Sequence, residues 1–204
     1  MRSRHKRWAE PYLEQHPEIV IHNLVDHAAF LAGHPLFLEI GAGKGDFVLA
    51  MAQKGGRWIA LERETSIAGL LAKKVVESTL GNIRVLPADF DVVAEGFQAY
   101  RFEGIFLNFS DPWPKRRHEK RRLTFPAKLL EYMRILKSGG YLFFKSDNDG
   151  LYEYSRQTFA ESPLEVISET NNYETLEVGD ALSEYERQFR SEGKNINRIV
   201  ARRK

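Results

Sequence analysis

Apolar positions along this chain come in two rhythms. Short unbroken or alternating runs of four to eight residues read as strands. Arg57 to Glu62 (RWIALE), Asn82 to Asp89 (NIRVLPAD), Gly104 to Asp111 (GIFLNFSD), Tyr141 to Asp147 (YLFFKSD) and Leu164 to Ser168 are of this kind, and Asn195 to Arg203 (NINRIVARR) alternates enough to be a last strand. Pro35 to Gly43 (PLFLEIGAG) is a strand that breaks into a glycine turn. Between them the spacing lengthens to three and four. It predicts helices over Glu18 to Leu31, Asp46 to Gln53, Thr65 to Ser78, Phe125 to Leu136 and Gly150 to Glu161, with the SGG after Leu136 stopping the fourth.

Strands alternating with helices imply an α/β protein with a doubly wound, mostly parallel sheet. Ligands of such sheets bind beyond the carboxyl ends of the strands. Five strands end in an acid at that rim: Glu39, Glu62, Asp89, Asp111 and Asp147. One strand-end acid is ordinary solvation; the repetition is the signal.

The first turn, EIGAGKGDF from Glu39 to Phe47, reads G-x-G-x-G. It lacks the Lys-Ser/Thr step of a phosphate-binding P-loop, and Asp46 replaces the third glycine of a dinucleotide fingerprint. A bare structural turn remains an alternative. Gathered carboxylates repel a pyrophosphate and suit a cationic or hydroxyl-rich ligand. Glu62, about twenty residues past the glycines, stands where an acid takes both ribose hydroxyls, and Asp89 can approach an adenine amino group. In order, these features resemble the S-adenosylmethionine site of a class I methyltransferase.

Charge and composition sharpen this picture. The net charge of +2 is too small for a whole-surface argument about nucleic acid, but cations concentrate at Met1 to Trp8 and at Lys115 to Arg122, where six Lys/Arg occupy eight residues. Such a cluster neutralises several phosphates and positions a nucleic acid without specifying a base. Trp113 beside it fits two uses: stacking on an unpaired base, or packing between Pro112 and Pro114. The N-terminal cations read as a disordered arm with nonspecific RNA affinity, or as an idle tail. No cysteine is present, which excludes disulfides, thiolate catalysis and cysteine-ligated zinc. The histidines show no ligand spacing, so no metal is expected. No apolar run is long enough for a membrane-spanning helix, and a cytoplasmic location is expected.

The string SDPWPKRRHEKRRL after the strand LNF is the most specific motif. With EIGAGKG, the acid of ALE, FKSDN (Phe144 to Asn148) and SEYERQF (Ser183 to Phe189), it resembles the bacterial tRNA (guanine-N7)-methyltransferase family from about residue 35 to near the end. Ser183 stands where the family usually has threonine. The resemblance implies a class I S-adenosylmethionine-dependent methyltransferase fold with a seven-stranded Rossmann-like sheet. It would form one domain over 35–204 behind a basic arm and leading helix over 1–34. It implies methylation at N7 of a guanosine in the tRNA variable loop, by a monomer or homodimer. Glu39, Gly41, Gly43, Glu62, Asp89 and Asp111 would hold S-adenosyl-L-methionine, with Asp111 also catalytic. Lys115, Asp147, Ser183, Glu184, Tyr185 and Glu186 would contact the guanosine, Glu186 accepting from its N1–H and 2-amino edge. Arg117, His118, Glu119, Lys120, Arg121 and Arg122 would bind the RNA backbone. The competing readings are another acceptor for the same cofactor and a non-catalytic RNA-binding protein.

Overall fold

The computed structural model describes residues 6–174, 176–177 and 180–204. Seven strands form one sheet in the order β3-β2-β1-β4-β5-β7-β6. They are β1 (Leu36–Ile40), β2 (Arg57–Leu61), β3 (Ile83–Leu86), β4 (Phe102–Asn108), β5 (Leu136–Ser146), β6 (Glu165–Thr170) and β7 (Asn197–Arg202). The first five run parallel, and β7 lies antiparallel between β5 and β6. The order reverses between β1 and β4, which opens a crevice at their carboxyl ends.

Alternation along the central strands builds two cores. Leu36, Leu38, Ile40, Ile105, Leu107, Leu142 and Phe144 face one apolar layer. Phe37, Phe106 and Phe143 face the other, against Phe47 and Trp58. Phe106 stacks on Phe143 at 4.6 Å, and Phe37 on Trp58 at 4.7 Å. The helices covering these faces are α3 (Asp46–Ala52), α4 (Thr65–Ser78), α5 (Phe90–Phe97), α6 (Pro126–Ile135) and α7 (Asp149–Ala160). A last helix, α8 (Glu184–Ser191), stands at the carboxyl edge.

Several expected elements are redrawn. The helix expected over Glu18 to Leu31 is absent: Val20 bridges Val85, and a 3-10 turn (Val25–His27) leads into a short α2 (Ala28–Leu31). The β-branched run Ile19-Val20-Ile21 pairs with the otherwise open edge of β3, through Ile21 N–H to Val85 O and Val85 N–H to Ile19 O, both 2.8 Å. A helix α1 (Ala9–Glu14) precedes it, between the basic arm Met1 to Trp8 and the expected helix, where no element was expected; most of that arm lies outside the described residues. The SGG after α6 does not separate helix from strand. β5 starts at Leu136 and passes through it, with Gly139 at φ +75° and the bend held by Arg203. A helix α5, not foreseen, follows Asp89, whose carboxylate caps it by accepting from Asp91 N–H. β4 ends at Asn108, three residues short of Asp111, because Phe109 takes φ +53° and turns the chain off the sheet.

Candidate active site

The crevice is an open cleft of about 860 Å³, within the range of small-molecule sites. Glu62, Asp89, Asp111, Trp113 and Asp147 line it from the segments that follow four different strands, and Tyr185 lines it from α8. The sheet topology thus gathers acids that the sequence spreads over 85 residues.

The glycine turn floors one end. Gly41, Gly43 and Gly45 have φ of +78°, +56° and +86°, which side chains with a Cβ rarely adopt. A Cβ on Gly41 would meet nothing within 4 Å, so the turn lies open to a ligand. Glu62 shapes it: one carboxylate oxygen accepts from Gly43 N–H at 3.0 Å, the other from Glu64 N–H at 2.9 Å. Burial nevertheless raises its pKa.

Glu39 lies beneath, 2% exposed. Asn108 donates to its Oε1 at 3.0 Å, while Oε2 has no partner. Burial raises its pKa to about 8, against the partial relief of the Asn108 hydrogen bond. A buried carboxyl with an unsatisfied oxygen beside an open glycine turn fits the cationic end of a sulfonium cofactor, whose charge would favour its ionised form. The donor set therefore suits S-adenosylmethionine.

Across the cleft, Arg63 reaches Asp111 at 3.3 Å and Asp89 at 3.8 Å. It also lies 5.9 Å from the centre of the Trp113 ring, with Arg121 at 4.8 Å from the same ring. Trp113 therefore sits between cations on the cleft wall, and it has φ +41°. Positive φ at both Phe109 and Trp113 is backbone strain flanking Asp111, a common mark of functional loops.

The basic run forms a 3-10 helix, Arg116–Arg121, with Lys115 exposed at its start. Arg117, Lys120 and Arg121 are exposed, and His118 and Glu119 half-buried. Arg122 is different. Its guanidinium donates to Pro112 O at 3.2 Å and Trp113 O at 3.1 Å and covers the Tyr154 ring at 4.1 Å, so it fastens the loop carrying Asp111.

The late motif divides. Tyr185 is 50% exposed and faces the cleft, with Phe189 beside it, a residue the sequence reading quoted in its motif but gave no role. Ser183 caps α8 by accepting from Glu186 N–H at 3.0 Å, Glu184 pairs with Lys44 at 2.8 Å, and Asp147 pairs with Lys194 at 3.4 Å. Glu186 is not in the cleft: it is 0% exposed, with Lys145 on one oxygen and Arg190 on the other. Its expected contact with the guanine edge does not match this geometry, because the first turn of α8 points it at the sheet. Among the described residues no helix is long and apolar enough to cross a membrane, and no group of acids and histidines could hold a metal ion.

A seven-stranded sheet of this order with a glycine turn and strand-end acids defines a class I methyltransferase. The fold recurs in a solved 16S rRNA methyltransferase, KamB (TM-score 0.65, 11% identity, 88% of this chain and 93% of that one), and in a precorrin-6y C5,15-methyltransferase from Geobacter metallireducens GS-15 (TM-score 0.56, 15% identity, 89% of each). A family model described as "Putative methyltransferase" matches residues 33–199. The chain is 40% identical to a tRNA (guanine-N(7)-)-methyltransferase of Exiguobacterium sp., over 98% of this chain and 97% of the relative. It is 37% identical to that of Bacillus subtilis, over 97% of each. The chain belongs to the bacterial tRNA (guanine-N7)-methyltransferase family.

Proposed function

We propose that this protein transfers the methyl group of S-adenosylmethionine to N7 of a guanosine in the tRNA variable loop, in the cytoplasm. The observation that carries the residue-level reading is the convergence of four acids on one cleft with an exposed cationic 3-10 helix on its lip. Glu39, Gly41, Gly43, Glu62 and Asp89 hold the cofactor. Glu62 takes the ribose hydroxyls, and Glu39 the cationic methionyl end. Asp111 lies between cofactor and base. Lys115, Asp147 and Tyr185 receive the guanosine, Ser183 and Glu184 fix the helix start that carries Tyr185, and Arg117, Lys120 and Arg121 take the backbone phosphates.

The cofactor brings an already activated methyl group. The protein's work is alignment of N7, methyl carbon and sulfur. Guanine N7 has a free lone pair and no proton, so no base is needed for attack. The product purine is positively charged, and Asp111 positions the base and stabilises that charge as it develops. In a tRNA helix the N7 edge lies in a deep groove, so the nucleotide is drawn partly out of the stack, at about a few kcal/mol.

Asp111→Asn keeps the shape and removes the charge. The expected result is a fall in kcat of about 100-fold or more with S-adenosylmethionine affinity largely kept. Unchanged kcat would remove Asp111 from the chemistry.

A further inference from the structure

The face of the sheet beneath α8 carries a row of polar residues inside an otherwise apolar layer. Glu39 on β1, Asn108 on β4, Lys145 on β5 and Arg198 on β7 follow one another across the carboxyl edge, with Asn108 opposite Lys145 and Lys145 opposite Arg198 in register. Lys145 is 3% exposed. Its ammonium lies 2.6 Å from Asp180 and 2.9 Å from Glu186, and it reaches Ala181 O at 3.5 Å. Glu186 completes its hydrogen bonding with Arg190 at 2.8 Å, and Arg190 in turn donates to Tyr173 O at 2.7 Å and Glu174 O at 2.9 Å.

A buried charge is tolerated only where paired and hydrogen-bonded, and removing one partner strands the other. Lys145 thus has two carboxylates, and both come from the segment that sets α8. What that segment then presents is specific. Tyr185 Cε2 lies 3.9 Å from where a Cβ on Gly43 would be, and Glu184 pairs with Lys44 of the same glycine turn. The start of α8, the glycine turn, Glu39 and Asn108 enclose one small recess.

We propose that Lys145 and Glu186 are positioning residues that seat α8 across the cofactor turn, so that Tyr185 forms the wall against which the acceptor base is held, and that Glu186 does not read the guanine edge. The inference rests on the proposed methylation for its substrate. Its consequence is that acceptor affinity is set from the sheet side of α8, by charges that never touch the RNA.

The test is amide hydrogen exchange of residues 184–191 in the free protein, together with steady-state kinetics. Lys145→Met and Glu186→Gln should each speed exchange there by about ten-fold or more. The double variant should fall short of the sum of the two, because the Lys145–Glu186 contact is already lost in each. Lys145→Arg, which keeps the charge, should restore most of the protection. KM for tRNA should rise about ten-fold in Glu186→Gln while kcat at saturating tRNA moves less than about three-fold. Transcripts with inosine at the target, lacking the 2-amino group, should lose the same factor in wild type and Glu186→Gln. Unchanged exchange in α8, or loss of the guanosine–inosine difference in Glu186→Gln, would overturn the proposal. Should Lys145→Met fail to fold, seen as lost far-ultraviolet circular dichroism, Glu186→Gln carries the exchange test alone. A wild-type protein that fails to methylate tRNA would sink the functional reading and leave the exchange result standing.

Discussion

At the scale of single residues, Glu39 is the most consequential group. Its pKa is raised from 4.5 to about 8 by burial. Between those values the folded protein keeps a proton that the unfolded chain has lost, so stability is full below about pH 4.5 and falls as pH rises toward 8. The loss approaches about 1.4 kcal/mol per pH unit in that window. Urea unfolding at several pH values should show this slope, and Glu39→Gln should flatten it; an unchanged slope would locate the effect elsewhere. A cation placed beside Glu39 favours its ionised form, so S-adenosylmethionine binding near pH 7 should release about one proton. Calorimetry in buffers of different ionisation enthalpy reads that directly, and Glu39→Gln should abolish it. The acid itself was legible as a strand-end residue. Its raised pKa was not, because the burial that causes it is made by elements distant in sequence, and Asn108, 69 residues away, only partly offsets it.

At the scale of elements, the legible parts were those whose signal is local. The helix over Thr65 to Ser78 has the bounds its apolar spacing implies, and the strand containing Glu39 and the strand ending just before Glu62 lie where their apolar runs do. What escaped depends on partners distant in sequence. Ile19 to Ile21 became extended because β3 offered an open edge, and α1 exists by packing on α4. That packing is close: a Cβ on Gly69 would lie 2.6 Å from Ala9 Cβ and 3.0 Å from Ala9 Cα. Since the Ala9 backbone cannot give way as a flexible side chain does, Gly69→Leu should cost about 1–3 kcal/mol in denaturant unfolding. A neutral result would mean that α1 is not seated there. The same segment ties Lys6 N–H to Ser66 Oγ at 2.9 Å, which fixes the N-terminal chain beside Glu64 and Ile67 of the cleft.

At the scale of the whole molecule, a net charge of +2 conceals a strongly polarised surface, with cations on one lip of a cleft lined by acids. Binding of tRNA should weaken steeply with salt. Removing Arg117, Lys120 or Arg121 singly should reduce the slope of log K against log salt by about 1 each. Arg122→Ala should act differently, lowering kcat by loosening the Asp111 loop, because its donors are spent on Pro112 and Trp113. Equal slopes for all four variants would assign Arg122 to the phosphates as well. The sequence motif marked the whole cluster as one unit; only the fold separates the arginine that holds the loop from those facing solvent. The decisive experiment is to incubate the protein with labelled S-adenosylmethionine and unmodified bulk tRNA, and to map the label by cleavage at N7-methylguanosine. Label confined to one variable-loop guanosine, and lost in Asp111→Ala, is the predicted result. Label on another atom or another RNA, or none despite binding of both cofactor and tRNA, would contradict it.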